Sequence, residues 1–158
     1  MRIEERIEVP VSGEDAWRFL WQTQRLAACL PGCVAVREVY PSRRYQATFE
    51  DHIGPYAVRF EMAVTVEKAE PPSYLRLHVF GEDRRLGASQ NADLDVTVQP
   101  LAPGRTAIAV VAEVQIIGKV ATLGQSVIKR KAKQVLSEFA KNVDRELRGT
   151  VPAGSSGG

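Results

Sequence analysis

The chain contains 158 residues, of which 44% are hydrophobic and 25% are charged, and its formal net charge is +2. This length suits a single domain, and the composition excludes an intrinsically disordered chain. The near balance of 21 basic and 19 acidic residues excludes the strong positive field of a nucleic-acid-binding protein. We therefore expect a globular domain without a nucleic acid partner.

The first residues and the cysteines indicate where such a protein resides. Charged residues occupy four of positions 2–6, where a secretory signal peptide needs apolar ones, and no apolar run is long enough for a membrane span. Cys29 and Cys33 are the only cysteines, which is too few for a disulfide framework. These features predict a cytoplasmic protein.

The N-terminal segment predicts one strand followed by two short helices. Residues 2–9 alternate between apolar and charged side chains, which is the period of a half-exposed strand. Ser12, followed by two carboxylates, predicts the N-cap of the first helix. Its buried stripe is expected to consist of large apolar residues: Trp17, Leu20 and Trp21. Thr23 is expected to cap a second helix that extends to Ala28.

Residues 34–117 predict a meander of antiparallel strands. Apolar and polar side chains alternate through this segment, as in a sheet with one dry face and one wet face. Turn-forming residues separate the strands at positions 41–42, 54–55, 71–73, 82–87 and 103–104. In the last strand every second residue is expected to face inward: Thr106, Ile108, Val110, Ala112, Val114 and Ile116.

A long helix is predicted after Gly118, because apolar residues recur there at steps of three and four for about thirty residues. Gly149 is the expected end of this helix. We predict one domain over residues 1–149 and a flexible Gly/Ser tail over residues 150–158.

These elements together predict an α+β fold, in which a curved antiparallel sheet of about seven strands wraps around the long C-terminal helix. Two short helices follow the first strand. A twisted sheet curves away from a straight helix, so we expect a gap between them. Whether side chains or a ligand fill this gap decides the function.

Three segments of the sequence resemble one protein family. They are residues 28–33 (ACLPGC), residues 53–55 (IGP), and the Gly-x-x-Ala-x-x-Gly pattern of residues 118–124. In this order they resemble the family of the carbon monoxide dehydrogenase G subunit. That family is part of the START-like, helix-grip superfamily, which includes polyketide cyclases and lipid-binding allergens. The resemblance covers residues 2–148.

The resemblance implies an accessory protein that binds a hydrophobic small molecule, a quinone or a lipid, and serves a molybdenum hydroxylase. It also implies membrane recruitment, so the expected location is the cytoplasm or the inner face of the membrane. No cofactor is expected. Two alternatives stay open: an enzyme of the polyketide cyclase or dehydratase kind, and a partner-docking module with a filled core.

We place the ligand site at inward positions of the sheet and at the residues that face them. Two of these residues, Asp51 and Gln90, are polar and are expected to orient the ligand. The alternative is ordinary core packing for the apolar residues and a local polar contact for these two. The predicted ligand-binding residues are Leu30, Phe49, Asp51, Phe60, Met62, Leu77, Val79, Gln90, Leu94, Ile108, Val110, Leu123 and Val127.

The sequence contains no catalytic motif of a known type. Cys29 and Cys33 with a histidine are the bare minimum for a zinc site, and two packed thiols are the simpler interpretation. The cyclase alternative needs an inward titratable group, and Asp51 and His52 are the candidates. We therefore predict neither catalytic residues nor a metal.

A cluster of basic residues on the long helix predicts a surface for anionic lipid head groups or for an acidic partner. An ordinary solvated helix face is the alternative. The cluster consists of Lys129, Arg130, Lys131 and Lys133.

Overall fold

A computed structural model describes residues 1–149, and the predicted tail lies outside this range. In chain order the elements are β1 (Arg2–Val9), α1 (Gly13–Leu20), α2 (Thr23–Cys29), β2 (Cys33–Tyr40), β3 (Arg44–Ile53), β4 (Tyr56–Glu70), β5 (Tyr74–Asp83), β6 (Ala88–Ala102), β7 (Arg105–Gly118), a short 3₁₀ helix (Lys119–Leu123) and α3 (Gln125–Gly149). The predicted order of strands and helices and the predicted fold class are confirmed.

All seven strands form one antiparallel sheet in the order β1-β7-β6-β5-β4-β3-β2. Tight hairpins join β2 through β7, and each falls at one of the five predicted turns. The strands β4, β6 and β7 have 14 or 15 residues each, long enough for the sheet to coil around α3. The concave face of the sheet and α3 therefore enclose the interior.

The helices near the N-terminus differ from the prediction in detail. The Ser12 side chain accepts a hydrogen bond from the Asp15 amide at 3.1 Å, so the predicted cap of α1 is confirmed. The most deeply buried residues of α1 are Ala16 and Phe19, whereas the predicted stripe is only half-buried. Thr23 is the first residue of α2 and not its cap. Leu20 and Trp21 of this stripe are half-buried because they line the interior space described below.

The long helix begins later than predicted. Residues 119–123 form a separate 3₁₀ helix, and α3 starts only at Gln125. Gly118 and Gly124 flank this segment with φ values of 95° and 90° and extended ψ angles, a conformation that only glycine adopts readily. The apolar spacing continues across Gly124, which is why the sequence pattern predicts one unbroken helix after Gly118.

The core consists of two clusters of buried side chains. The first cluster lies between α1, α3 and the strands β1, β5, β6 and β7, and includes Phe19, Val98 and Leu147. The second lies at the end of the sheet where the 3₁₀ helix crosses it, and includes Phe60 and Val120. Val120 is fully buried there, so the 3₁₀ helix closes this end of the fold.

The turn between β5 and β6 is organised by the buried carboxylate of Asp83, whose side chain is 4% exposed. It accepts hydrogen bonds from the backbone N–H groups of Arg59 at 2.8 Å and Leu86 at 3.1 Å. Burial alone raises the pKa of such a carboxyl, but these two bonds and the Arg85 charge outweigh it and hold the pKa of Asp83 below its ordinary value.

We expect Asp83→Asn to lower the free energy of unfolding near neutral pH by about 1–3 kcal/mol, because the amide can accept only one of the two N–H bonds. Because the pKa of Asp83 is lower in the folded than in the unfolded protein, its ionised form stabilises the fold at pH values above the unfolded pKa of about 4. This stabilisation is lost as the pH falls and the carboxylate is protonated. The difference between wild type and variant should therefore shrink below about pH 4. Urea unfolding from pH 3 to pH 7 measures it, and a difference that stays constant with pH would contradict this role of the carboxylate.

Candidate functional site: an apolar cavity between the sheet and two helices

An apolar cavity of about 260 Å³ lies between the concave face of the sheet, α2 and α3. All seven strands contribute to its wall, and the cavity is only partly enclosed. Its aliphatic and aromatic lining residues are Ile7, Leu20, Trp21, Leu26, Ala27, Leu30, Val36, Ala47, Val64, Val66, Leu75, Leu77, Val79, Leu94, Val96, Ile108, Val110, Leu136, Phe139, Ala140 and Val143.

The composition of this wall follows from the side-chain periodicity of strands and of helices. Strand residues two positions apart face the same side, so Leu75, Leu77 and Val79 of β5 all line the cavity. Helix residues three and four positions apart share a face, so α3 presents Leu136, Phe139, Ala140 and Val143. The cavity exists because these two faces do not meet along this part of α3.

Helix α2, with Leu26 and Ala27, and the residue that follows it, Leu30, cover one side of the cavity. Three polar contacts hold the helix in place. The Arg25 guanidinium pairs with Glu146 of α3 at 2.9 Å, and the Asn142 amide of α3 donates to the Cys29 carbonyl at 2.9 Å. The Gln24 amide donates to the carbonyl of Val36 on β2 at 3.2 Å. The cover is therefore attached to both α3 and the sheet edge.

Six of the predicted ligand-binding residues line the cavity: Leu30, Leu77, Val79, Leu94, Ile108 and Val110. The structure places four others in the second core cluster: Phe49, Phe60, Met62 and Leu123. Leu123 packs against Gly54, so the 3₁₀ helix fills the end of the sheet where the sequence analysis placed part of the ligand. Val127 is half-buried on the first turn of α3 and does not line the cavity.

The two predicted polar ligand contacts have protein partners. The Asp51 carboxylate pairs with Nζ of Lys131 at 2.9 Å, which connects β3 to α3, and each side chain is 24% exposed. The Gln90 side chain is buried, and its Nε2 donates to the Met62 sulfur at 3.5 Å. Neither residue lines the cavity, so both are better explained as parts of the scaffold than as ligand contacts.

The sequence analysis missed the polar residues that do line the cavity: Glu5, Arg6, Thr23, Cys33 and Tyr45. Burial, and next the Glu38 side chain, raise the pKa of the Tyr45 phenol, and Thr23 at the start of α2 partly opposes this. Burial raises the pKa of the Cys33 thiol as well. The alternation of side chains in β3 places Tyr45 on the same face as Ala47, and this pattern could have identified Tyr45 as a cavity residue.

The residues considered for metal binding or catalysis lie outside the cavity. His52 is exposed, and Nδ1 of His78 contacts Asp93 at 2.8 Å on the wet face of the sheet. Within residues 1–149, no group of three or more His, Cys, Asp or Glu side chains is arranged to hold a metal ion. Both cysteines are free thiols.

A second concavity, a groove of about 520 Å³, crosses the outer face of strands β2 to β5. Its walls are mixed, with Arg37, Gln46 and Glu61 beside apolar residues such as Met62 and Phe80, and it is more open than the interior cavity. An open groove of mixed polarity buries less of an apolar ligand than a more enclosed apolar cavity does. The interior cavity is therefore the candidate site.

The basic cluster is divided by the structure. Lys129, Arg130 and Lys133 are exposed on α3, whereas Lys131 faces β3 and pairs with Asp51. Of the helices in the described range, none is long and apolar enough to cross a membrane. Three of the four predicted cations are thus available to a charged surface.

A seven-stranded antiparallel sheet that wraps around one long helix, with an apolar space between them, defines a START-like helix-grip domain. Residues 6–148 match the family model of the carbon monoxide dehydrogenase G subunit (CoxG). The chain belongs to this CoxG family.

Solved structures share the fold over nearly the whole chain. A conserved protein from Geobacillus kaustophilus is 24% identical with a TM-score of 0.84, and the match covers 95% of this chain and 97% of that one. A START superfamily protein from Mycobacterium smegmatis is 13% identical, with a TM-score of 0.72 and coverages of 94% and 97%. The Zhui aromatase/cyclase from Streptomyces sp. R1128 is 10% identical, with a TM-score of 0.75 and coverages of 98% and 97%. No curated protein matches in sequence.

Proposed function

We propose that this protein is a non-enzymatic accessory protein that binds a hydrophobic small molecule, a quinone or a lipid, in the interior cavity. The observation that carries the proposal is the cavity itself, about 260 Å³ of space with an almost wholly apolar wall. Burial of apolar ligand surface gains roughly 25 cal/mol per Å², and the few polar wall groups set the orientation.

The partner in this proposal is a molybdenum hydroxylase of the carbon monoxide dehydrogenase kind, which is what membership of the CoxG family suggests. The protein would carry its ligand between the membrane and that enzyme, from the cytoplasmic side. The docking-module alternative is not favoured, because it requires a filled core. The cyclase alternative is not favoured, because neither of its candidate groups, Asp51 and His52, lines the cavity.

Titration of the purified protein with quinones and fatty acids tests this proposal. Trp21 lines the cavity and the chain has 2 Trp residues, so intrinsic fluorescence reports occupancy. We expect saturable binding of one apolar molecule per chain. Linear, non-saturating quenching by every compound in both series would overturn the proposal.

We expect the exposed cations of α3 to attract an anionic membrane surface. The triple variant Lys129→Glu, Arg130→Glu, Lys133→Glu should bind vesicles that contain phosphatidylglycerol at least tenfold more weakly, since each basic residue near such a surface contributes about 1 kcal/mol. A vesicle flotation assay at low salt measures the binding.

The control is a variant with the same change of net charge outside α3 and outside the cavity wall: Arg2→Glu, Arg18→Glu, Arg105→Glu. These arginines lie on β1, on α1 and at the start of β7, and their side chains are 60–66% exposed. If both variants weaken vesicle binding equally, net charge explains the effect and the α3 surface has no special role.

A further inference from the structure

The indole nitrogen of Trp21 is a buried donor without a partner. The side chain forms part of the cavity wall, and Nε1 makes no hydrogen bond with residues 1–149. The described chain has one other buried side-chain atom in this condition, Oδ1 of Asp144, and Asp144 does not line the cavity. An unpaired buried donor costs free energy that an accepting ligand atom restores.

The cavity volume limits the size of the ligand. A cavity of about 150 Å³ holds benzene, and pockets for drug-sized molecules begin at about 300 Å³. The cavity here, at about 260 Å³, lies between these values. It accommodates a molecule of one or two rings, or the compact end of a longer molecule, but not a long chain in full.

The other polar wall groups restrict the ligand's chemistry. The Tyr45 hydroxyl interacts with the side chains of Glu38 and Thr23, so a ligand would compete with protein groups there. Arg6 pairs with Glu8 at 3.2 Å. A carboxylate in this apolar space would lack a free counter-charge, and burying it would be costly. A neutral acceptor such as a carbonyl oxygen requires only one donor.

We propose that the cavity selects a compact neutral ring that carries a carbonyl group, and that Nε1–H of Trp21 donates a hydrogen bond to that oxygen. This inference rests on the proposed function, and within it favours quinones over free fatty acids. Nε1 has no exposed surface in the structure, so binding includes a small turn of the indole toward the ligand.

The test compares duroquinone with durene, which has the same methylated ring without the two carbonyl oxygens. All ring positions of duroquinone are substituted, so addition of the Cys33 thiol is disfavoured. In one variant, benzothienylalanine replaces Trp21, so that sulfur takes the place of N–H in a side chain of the same shape. The matched control carries the same replacement at Trp17, whose ring lies 5.9 Å from that of Trp21.

We expect the Trp21 variant to bind duroquinone about tenfold more weakly than wild type, which is the effect of one lost hydrogen bond, and to bind durene equally well. The Trp17 variant should match wild type with both compounds. Quenching of the fluorescence of the remaining tryptophan measures the binding of duroquinone. The binding of durene is measured by its competition with duroquinone.

Unchanged duroquinone affinity in the Trp21 variant would overturn the role of Trp21 and leave the proposed function standing. Failure of wild type to bind either compound would overturn this inference, and failure to bind fatty acids as well would overturn the proposed function. Should the variant not fold, the indole N–H resonance of Trp21 in nitrogen-15-labelled wild type gives the answer. Duroquinone but not durene should move it downfield, and equal shifts with the two compounds would contradict the proposal.

Discussion

Ala47→Phe is expected to abolish ligand binding while the protein stays folded. Ala47 lies on β3 and lines the cavity. A phenyl ring at this position fills a volume similar to the ~150 Å³ cavity that benzene occupies, so too little of the 260 Å³ is left for a ligand ring. We expect the affinity for duroquinone to fall by at least about 100-fold, since the loss of most apolar contacts costs several kcal/mol.

The same substitution on the opposite face of the sheet is the control. Ala63 lies on β4, beside the strand that carries Ala47, and it is exposed on the outer surface. Ala63→Phe should bind duroquinone like wild type. Equal affinity in both variants, with both folded by circular dichroism, would show that the ligand binds somewhere other than this cavity.

Gly118→Ala is expected to have the largest effect on stability. Gly118 ends β7 with a φ of 95°, and a Cβ there would lie 2.0 Å from the carbonyl oxygen of Gly87 in the neighbouring turn. No side chain fits at that distance, so the end of β7 and the turn must separate. We expect the free energy of unfolding to fall by about 4 kcal/mol or more.

Gly124→Ala separates this clash from backbone strain. Gly124 has nearly the same φ, 90°, but a Cβ there would meet no atom within 4 Å. We expect a loss of about 1–3 kcal/mol, the cost of an unfavourable backbone conformation alone. Urea unfolding of both variants measures the difference. Equal losses would contradict the close contact between Gly118 and the β5–β6 turn.

Much of the fold could be predicted from local sequence patterns. Alternation of apolar residues identified the strands, and turn residues such as Gly54 and Gly104 separated them, because these signals depend only on neighbouring positions. The break at Gly124 could not be predicted in this way. The apolar spacing runs through it, and only the packing of Val120 and Leu123 against the end of the sheet shows why the helix starts later.

The site was only partly predictable for a related reason. The alternation along each strand predicts which residues face inward, such as Leu77 and Leu94. It does not predict which of these inward residues pack in the filled core and which line the cavity. The second cluster around Phe60 is filled by residues from the 3₁₀ helix, far away in sequence. The pairing of Asp51 with Lys131 likewise joins residues that are distant in the chain.

The most direct measurement of the central claim is native mass spectrometry of protein purified gently from its own host, for wild type and Ala47→Phe in parallel. We predict that wild type carries one molecule of an apolar compound that organic extraction releases, and that Ala47→Phe carries none. The account would be contradicted if both proteins carried the same compound in equal amounts. It would also be contradicted if wild type carried no compound and bound none when a lipid extract of the host was added back.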